Sequence, residues 1–391
     1  MKRRHLINFA LAASLALCTS VTAQDKNASL RQELDIAISK GLNFLKQQQN
    51  KADGSWSTPE EPAITALVLT AFMGDPSRQP QDAVLPEVEK GYQFLLSKVK
   101  PDGGIYSKGR ANYNTSISLT ALTVNPKPEY EKIILDARKF VVGQQNDFGE
   151  KGVADNEFDG GIGYGKPGAD KPPRADLSNT HFALEALYYS KKLFEDKAGP
   201  QDKKNELNWG AAIKFVERCQ NLPASNDQKW ASDDAKNKGG FIYEPGVSKS
   251  SEEVKLPDGR TAMRSYGSIS YAGMLSFIYA GLTPDDPRVQ AALQWLGENY
   301  TLQENPGMGQ EGLYYYYHTM AKAMTVAGLN ELKTKDGRTV DWRTELSRHL
   351  LNVQKPDGSW LNATGRWMEN DPVLVTAYTL LALEHVHHAL R

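Results

Sequence analysis

"NVQKPDGSW", Asn352 to Trp360, stands near the end of the chain. A shorter echo, "NKADGSW", runs from Asn50 to Trp56, and "KVKPDGGIY" runs from Lys98 to Tyr106. Each copy follows a helix-patterned stretch and sets Asp-Gly before a small residue and then a large apolar one. A glycine there permits positive φ where a helix ends and the chain turns inward. The aromatic side chain after it is expected to plug the junction with the next unit.

Aligned on this motif, the chain divides into six units. Each holds a helical segment, a Gly-rich turn and a second helical segment rich in Ala, Thr and Leu. The first reads "ISKGLNFLKQQQNKADGSWS" and then "AITALVLTAFM"; the last reads "LSRHLLNVQKPDGSW" and then "VLVTAYTLLALEHV". In the fifth, the turn is read as "QEGLYYYY" and the second helix as "HTMAKAMTVAGL". Gly54 to Gly103 is 49 residues and Gly312 to Gly358 is 46, while the two middle units carry insertions near 165–174 and 225–264. Self-similarity at this period signals stacked supersecondary units.

The first helix of a unit is amphipathic: Ile38, Leu42 and Leu45 recur at helical spacing with Lys40, Asn43 and Lys46 between them. The second is apolar nearly all round, as in "TALVLTAF" (Thr65 to Phe72), and must be buried on most sides. Six pairs of outer amphipathic and inner apolar helices predict an all-α ring, an (α/α)6 toroid. An open solenoid is the alternative, but neither end of the chain carries a polar capping unit.

The 391 residues suffice for one large core, and a formal net charge of -1 gives no electrostatic case for nucleic acid. The start, "MKRRHLINFALAASLALCTSVTAQ", has a basic n-region, a short apolar run and a small-x-small site. It reads as a secretory signal peptide over residues 1–23, cut after Ala23, which predicts a periplasmic or secreted protein. The apolar run is short for a retained anchor. The expected mature chain holds one cysteine, Cys219, so it forms no internal disulfide. One toroid domain is expected over residues 30–391.

Units such as "FLKQQQNKADGSW", each followed by an apolar Thr/Ala/Leu helix, resemble the prenyltransferase and squalene-oxidase repeat. That family includes squalene–hopene cyclases and the β subunits of protein prenyltransferases. The resemblance covers nearly all of the chain after Leu30. It implies a toroid with a central apolar cavity and active groups near the starts of the inner helices.

The catalytic sets of that family are not retained. The cyclase motif Asp-x-Asp-Asp-Thr is met by "DLSNT", where Asp176 and Thr180 match but Ser178 stands at the proton-donor position. The prenyltransferase zinc site is met by His318 alone, with Tyr266 and Ser268 where the Asp and Cys ligands would stand. No metal and no cofactor is expected.

The inner-helix starts are expected to converge on one mouth. Asp176, His181 and His318 are the candidate catalytic residues, the two histidines for their titration range. Asn114, Asn179, Tyr266, Ser268 and Tyr317 are the candidate ligand-binding residues, with Glu369 or Asp371 beside them. The alternative at each is a structural role, Asp176 as a helix cap and the others as partners of buried helix ends. Three functions follow, of which the first two use the cavity: a toroid that binds an isoprenoid, lipid or polymer there, or a divergent cyclase-like isomerase or lyase. A scaffold acting through its outer surface is the third. No nucleic acid and no transmembrane segment after signal cleavage are expected. The protein partner, if any, is not legible.

Overall fold

The computed structural model describes residues 27–79, 81–165 and 174–391. The signal peptide read at 1–23 and most of the first insertion lie outside these described residues. The first two units supply α1 (Ala28–Gln48), α2 (Pro62–Gly74), α3 (Pro86–Leu96) and α4 (Ala111–Val124). Next come α5 (Glu131–Val142), α6 (Leu177–Tyr189), the short α7 (Lys191–Lys197) and α8 (Pro200–Lys204), then α9 (Trp209–Glu217) and α10 (Gly267–Tyr279). The last two units supply α11 (Pro287–Glu298), α12 (Leu313–Val326), α13 (Trp342–Val353) and α14 (Pro372–Ala389).

The inner helices close a ring. Helix α2 packs on α4, α4 on α6, α6 on α10, α10 on α12, α12 on α14, and α14 back on α2. Outside them α3 packs on α2, α5 on α4 and α11 on α10, while α1 packs on both α13 and α14 and joins the two ends of the chain. The protein is an (α/α)6 toroid. Its inner helices are buried on nearly every face, as their unbroken apolar character requires.

The repeated motif is the joint between units. Gly54, Gly103, Gly160, Gly239 and Gly358 all have φ between +83° and +89°. There is no room for a side chain at any of them: a Cβ would lie 2.0–2.7 Å from a backbone carbonyl of the following outer helix, Lys90, Asp136, Ala211, Ala291 and Lys40 in turn. Conformation and packing therefore both demand glycine. Two residues on, the backbone N–H of Trp56, Ile105, Ile162, Phe241 and Trp360 donates to Thr65, Thr115, Thr180, Ser270 and Thr376 of the inner helix, at 2.9–3.1 Å. This explains the recurring Thr or Ser in helices that are otherwise apolar.

A glutamine fastens the joint from the other side. Gln354 Nε2 donates to the Gly358 and Ala37 carbonyls, both at 3.0 Å, and so ties the sixth unit to the first. Gln49, Gln145 and Gln220 make the same pair of bonds to their own motif and the next outer helix. Trp56 and Trp360 are fully buried, with Nε1 on the Leu45 and Leu350 carbonyls.

The fifth unit differs from its sequence reading. Helix α12 begins at Leu313, so the four tyrosines are helical and Gly312, with φ +66°, is the entry to the helix rather than a motif glycine. Tyr316 takes the position of the Thr or Ser, and its phenol donates to the Thr301 carbonyl. The second insertion is an anchored segment. It holds the hairpin β1 (Glu253–Lys255) and β2 (Thr261–Met263), and the Tyr243 carbonyl accepts the N–H of Leu177 at the start of α6. Among the described residues no helix is long and apolar enough to cross a membrane.

Candidate functional site

All six inner helices present their first turns to one mouth, as the hairpin topology dictates. Ile64, Tyr113, Ser178, Ser268, Tyr315 and Leu374, one from each, line a cavity of about 130 Å³ there. Six tyrosines contribute to its wall: Tyr113, Tyr164, Tyr243, Tyr266, Tyr315 and Tyr378. Phe182 forms its floor, with ring centroids 5.4 Å from Tyr113 and 6.0 Å from Tyr315.

The rim is polar and strained. Glu61, the residue before α2, pairs with Arg110, the residue before α4, at 2.6 Å. Glu369 is buried and accepts the N–H of Tyr315 at 2.8 Å and of Tyr314 at 3.3 Å, while Asn362 Nδ2 donates to it at 2.7 Å. It caps the positive end of α12. Burial still raises its pKa against these bonds. Trp367 and Tyr164 stand at the opening, 44% and 45% exposed. Among the described residues four that are not glycine have positive φ: Ser57, Arg110, Trp367 and Met368. Three of them line this mouth. The fourth, Ser57, hydrogen-bonds Asp371 at the start of α14. Such backbone costs about 1–3 kcal/mol per residue and collects at ligand clamps and active sites.

A second cavity lies beyond Phe182, toward the C-terminal ends of the inner helices. Helices α4, α6 and α14 each send a stripe of side chains spaced three or four apart toward the centre. On α4 it is Tyr113, Ile117, Thr120 and Val124; on α6 it is Ser178, Phe182, Glu185 and Tyr189. On α14 it is Leu374, Tyr378, Leu381 and His385. The upper members line the first cavity and the lower members the second, and Phe182 borders both.

Of the residues singled out by sequence, Tyr266 and Ser268 line the mouth cavity, as does Glu369. Asp176 is the N-cap of α6, accepting the Asn179 N–H at 2.9 Å and the Asn179 side chain at 2.8 Å. Burial, the largest influence, raises its carboxyl to about 6 against the bonds from Asn179 and from the Tyr243 hydroxyl. Asn114 caps α2, its Oδ1 accepting the Ala63 N–H at 3.0 Å. Tyr317 turns outward, its hydroxyl 2.9 Å from His349 Nε2 of α13. Asp371 caps α14.

His181 and His318 sit below the mouth, fully buried, stacked on Tyr279 at 6.0 Å and Tyr378 at 5.4 Å. Burial pushes His181 down to about 3 and His318 well below its ordinary range, with Lys322 adding to both, so both rings are neutral. The sequence reading did not single out Glu61, Arg110, Tyr243 or Trp367 for the site. For Glu61 and Arg110 the signal was available, because each directly precedes an inner helix. For Trp367, inside the final turn, there was none. Among the described residues no cluster of His, Cys, Asp and Glu has the arrangement of a metal site.

No protein-family model matches the chain, and no curated protein sequence does. Solved structures are similar in fold. A variant of the type II terpene cyclase MstE from Scytonema, in complex with geranylgeranyl dihydroxybenzoate, has TM-score 0.52 at 12% identity, covering 93% of this chain and 99% of that one. An inactive variant of the α-1,6-mannanase GH76A of Salegentibacter sp. HEL1_6, in complex with α-1,6-mannotriose, has TM-score 0.57 at 12% identity, covering 91% and 99%. Candida albicans protein geranylgeranyltransferase-I, complexed with GGPP, has TM-score 0.52 at 12% identity, covering 88% and 90%. The chain has the α/α toroid that these cyclase, mannanase and prenyltransferase structures share.

Proposed function

We propose that this protein acts outside the cytoplasm as a ligand-binding toroid that holds one end of a chain-like, mainly apolar molecule, an isoprenoid or another lipid, in its aromatic mouth. The observation that carries this reading is the collection of three strained residues, Arg110, Trp367 and Met368, around one aromatic cavity. The cavity of about 130 Å³ is close to the 150 Å³ that takes a single benzene ring. It therefore suits one ring or a short branched end, with the rest of the ligand lying across Trp367 and Tyr164. The N-terminal signal-like stretch over residues 1–23, which suggests export, is the basis for the location. Both the terpene cyclase and the geranylgeranyltransferase among the similar structures hold geranylgeranyl compounds, which supports an isoprenoid as the first chemistry to test.

The test is organic extraction of the protein purified without detergent from its native compartment, followed by mass spectrometry. A stoichiometric lipid that is lost in the Trp367→Ala variant supports the reading. A clean extract, with no binding of added geranylgeraniol, refutes it.

One observation favours catalysis as a second reading. Asp176, with a carboxyl raised to about 6 by burial, feels the Tyr243 hydroxyl, which lines the cavity and pulls the carboxyl back down. The pair can hold a proton next to a bound ligand, as general acid–base chemistry needs. In this reading Asp176→Asn abolishes a turnover of the extracted ligand while leaving its binding intact. His181 and His318 do not line the mouth cavity, and as neutral bases they offer no proton to it near neutral pH.

A further inference from the structure

The second cavity, of about 200 Å³, lies at the C-terminal ends of the inner helices, on the far side of Phe182 from the mouth. Its walls are apolar: Leu67, Ile117 and Leu381. Val124 and Tyr189, 39% and 36% exposed, form its opening to solvent. Two threonines also border it, but Thr70 and Thr120 donate to the Ala66 and Ser116 carbonyls of their own helices, at 2.9 and 3.2 Å, and offer no hydrogen to a ligand.

The floor is ionic. Lys322 Nζ donates to Glu185 Oε1 at 2.7 Å, and the two side chains are only 8% and 6% exposed. A buried charge pair is costly unless its remaining hydrogen-bonding capacity is filled. Here it is not. Glu185 Oε2 is buried and accepts no hydrogen bond. His181 Nε2 is 3.5 Å from it, beyond good hydrogen-bond range. Lys322 has N–H groups to spare, since one bond to Glu185 uses one of three. His385, which also borders the cavity, is neutral because burial and Lys322 depress it.

We propose that this cavity is a second ligand site, which takes a small uncharged alcohol with an apolar body of about ring size. A hydroxyl donates to Glu185 Oε2 and accepts from Lys322 Nζ, so it completes both partners at once. The Glu185–Lys322 pair sums to zero charge, so a carboxylate or an ammonium would bring an uncompensated charge into a low-dielectric pocket. A plain hydrocarbon fills the walls but leaves Oε2 unpaired. The site needs nothing from the mouth cavity, and its failure leaves the lipid reading of that cavity untouched.

Four probes of matched shape decide it: cyclohexanol, methylcyclohexane, cyclohexanecarboxylate and cyclohexylamine, titrated into the full chain and followed by ligand-observed NMR. Cyclohexanol is expected to bind at least about tenfold more tightly than the other three, the scale of one hydrogen bond to a charged group. Glu185→Gln strands Lys322 and threatens the fold, so the informative variant replaces both, Glu185→Leu with Lys322→Met, which keeps the volume filled with apolar groups. In that double variant cyclohexanol and methylcyclohexane bind equally. Equal binding of all four probes to the unmodified protein overturns the proposal. So does tighter binding of the carboxylate or amine, an absence of saturable binding, or an alcohol preference that survives the double variant.

Discussion

Replacing His385 by glutamine removes one of three neutral imidazoles near the centre of the ring, two buried and His385 half-buried, and the pH dependence of stability reports the loss. Burial holds His181 and His385 at about 3 and His318 well below its ordinary value. In the unfolded chain each returns to about 6.5. Between about pH 6 and pH 4 the unfolded state therefore carries a proton on each imidazole that the folded state does not. The stability these groups contribute is fully present above 6.5 and is lost as pH falls toward 3. Each adds about 1.4 kcal/mol per pH unit to the slope of unfolding free energy against pH. Asp176 acts in the opposite direction. Its carboxyl is raised to about 6, so folding takes up a proton there between about pH 4 and 6, and its contribution falls as pH rises. Chemical denaturation at half-unit intervals from pH 4 to 6 isolates the His385 share. The His385→Gln curve is expected to be shallower than wild type by about 1.4 kcal/mol per unit, whatever its vertical offset from changed packing. Parallel curves would mean that His385 is protonated in the folded protein, and the neutral-histidine account of the ring centre would fall with it.

Asp176→Asn should steepen the same acid slope by about 1.4 kcal/mol per pH unit, because it deletes the opposing carboxyl. Gln354→Leu, which frees the Ala37 and Gly358 carbonyls, should cost about 1–2 kcal/mol in denaturant unfolding. Gln49→Leu should cost a similar amount if the sixth-to-first joint resembles the other joints. Trp367→Gly should leave the melting temperature unchanged or higher, since glycine relieves a strained φ worth about 1–3 kcal/mol, yet should lose any co-purified lipid. Phe182→Ala should cost about 3–5 kcal/mol and join the two axial cavities, so that a hydrocarbon probe added from either end gains affinity.

The ring was legible because each motif glycine answers two demands at once. It adopts a positive φ and lies against a backbone carbonyl, so substitution is barred twice and the motif stays readable in five units. The fifth-unit turn was misread because Gly312 also has positive φ, but as a helix entry, and at the Thr position Tyr316 donates to a carbonyl instead of accepting an N–H. The site was less legible. Residues in the first turn of a helix point around the full circle, so Tyr266 and Ser268 face the mouth while Asn114 and Tyr317 face neighbouring elements. Periodicity gave no help, because a helix that is apolar all round has no preferred face. Glu185 and Lys322, 137 residues apart in sequence, carried no sign of being partners.

The same geometry constrains what the mouth accepts. Six parallel inner helices bring six positive helix ends to one opening, which by itself would favour an anion. The sequence has already answered four of those ends with its own carboxylates, and Asn305 Oδ1 accepts the Ser268 N–H of α10. Asp176 and Asp371 cap α6 and α14, Glu369 caps α12, and Glu61 precedes α2. Arg110 is the one cation lining that mouth among the described residues, and it is paired with Glu61. An anionic ligand would therefore meet three carboxylate-capped helix ends and the Glu61 carboxylate at a fourth. An uncharged ligand keeps every one of these caps in place. On this account geranylgeraniol should bind the mouth more tightly than its diphosphate, and the preference should narrow as salt screens the rim. Tighter binding of the diphosphate would show that the ligand displaces a cap, with Glu369 on α12 the first to examine.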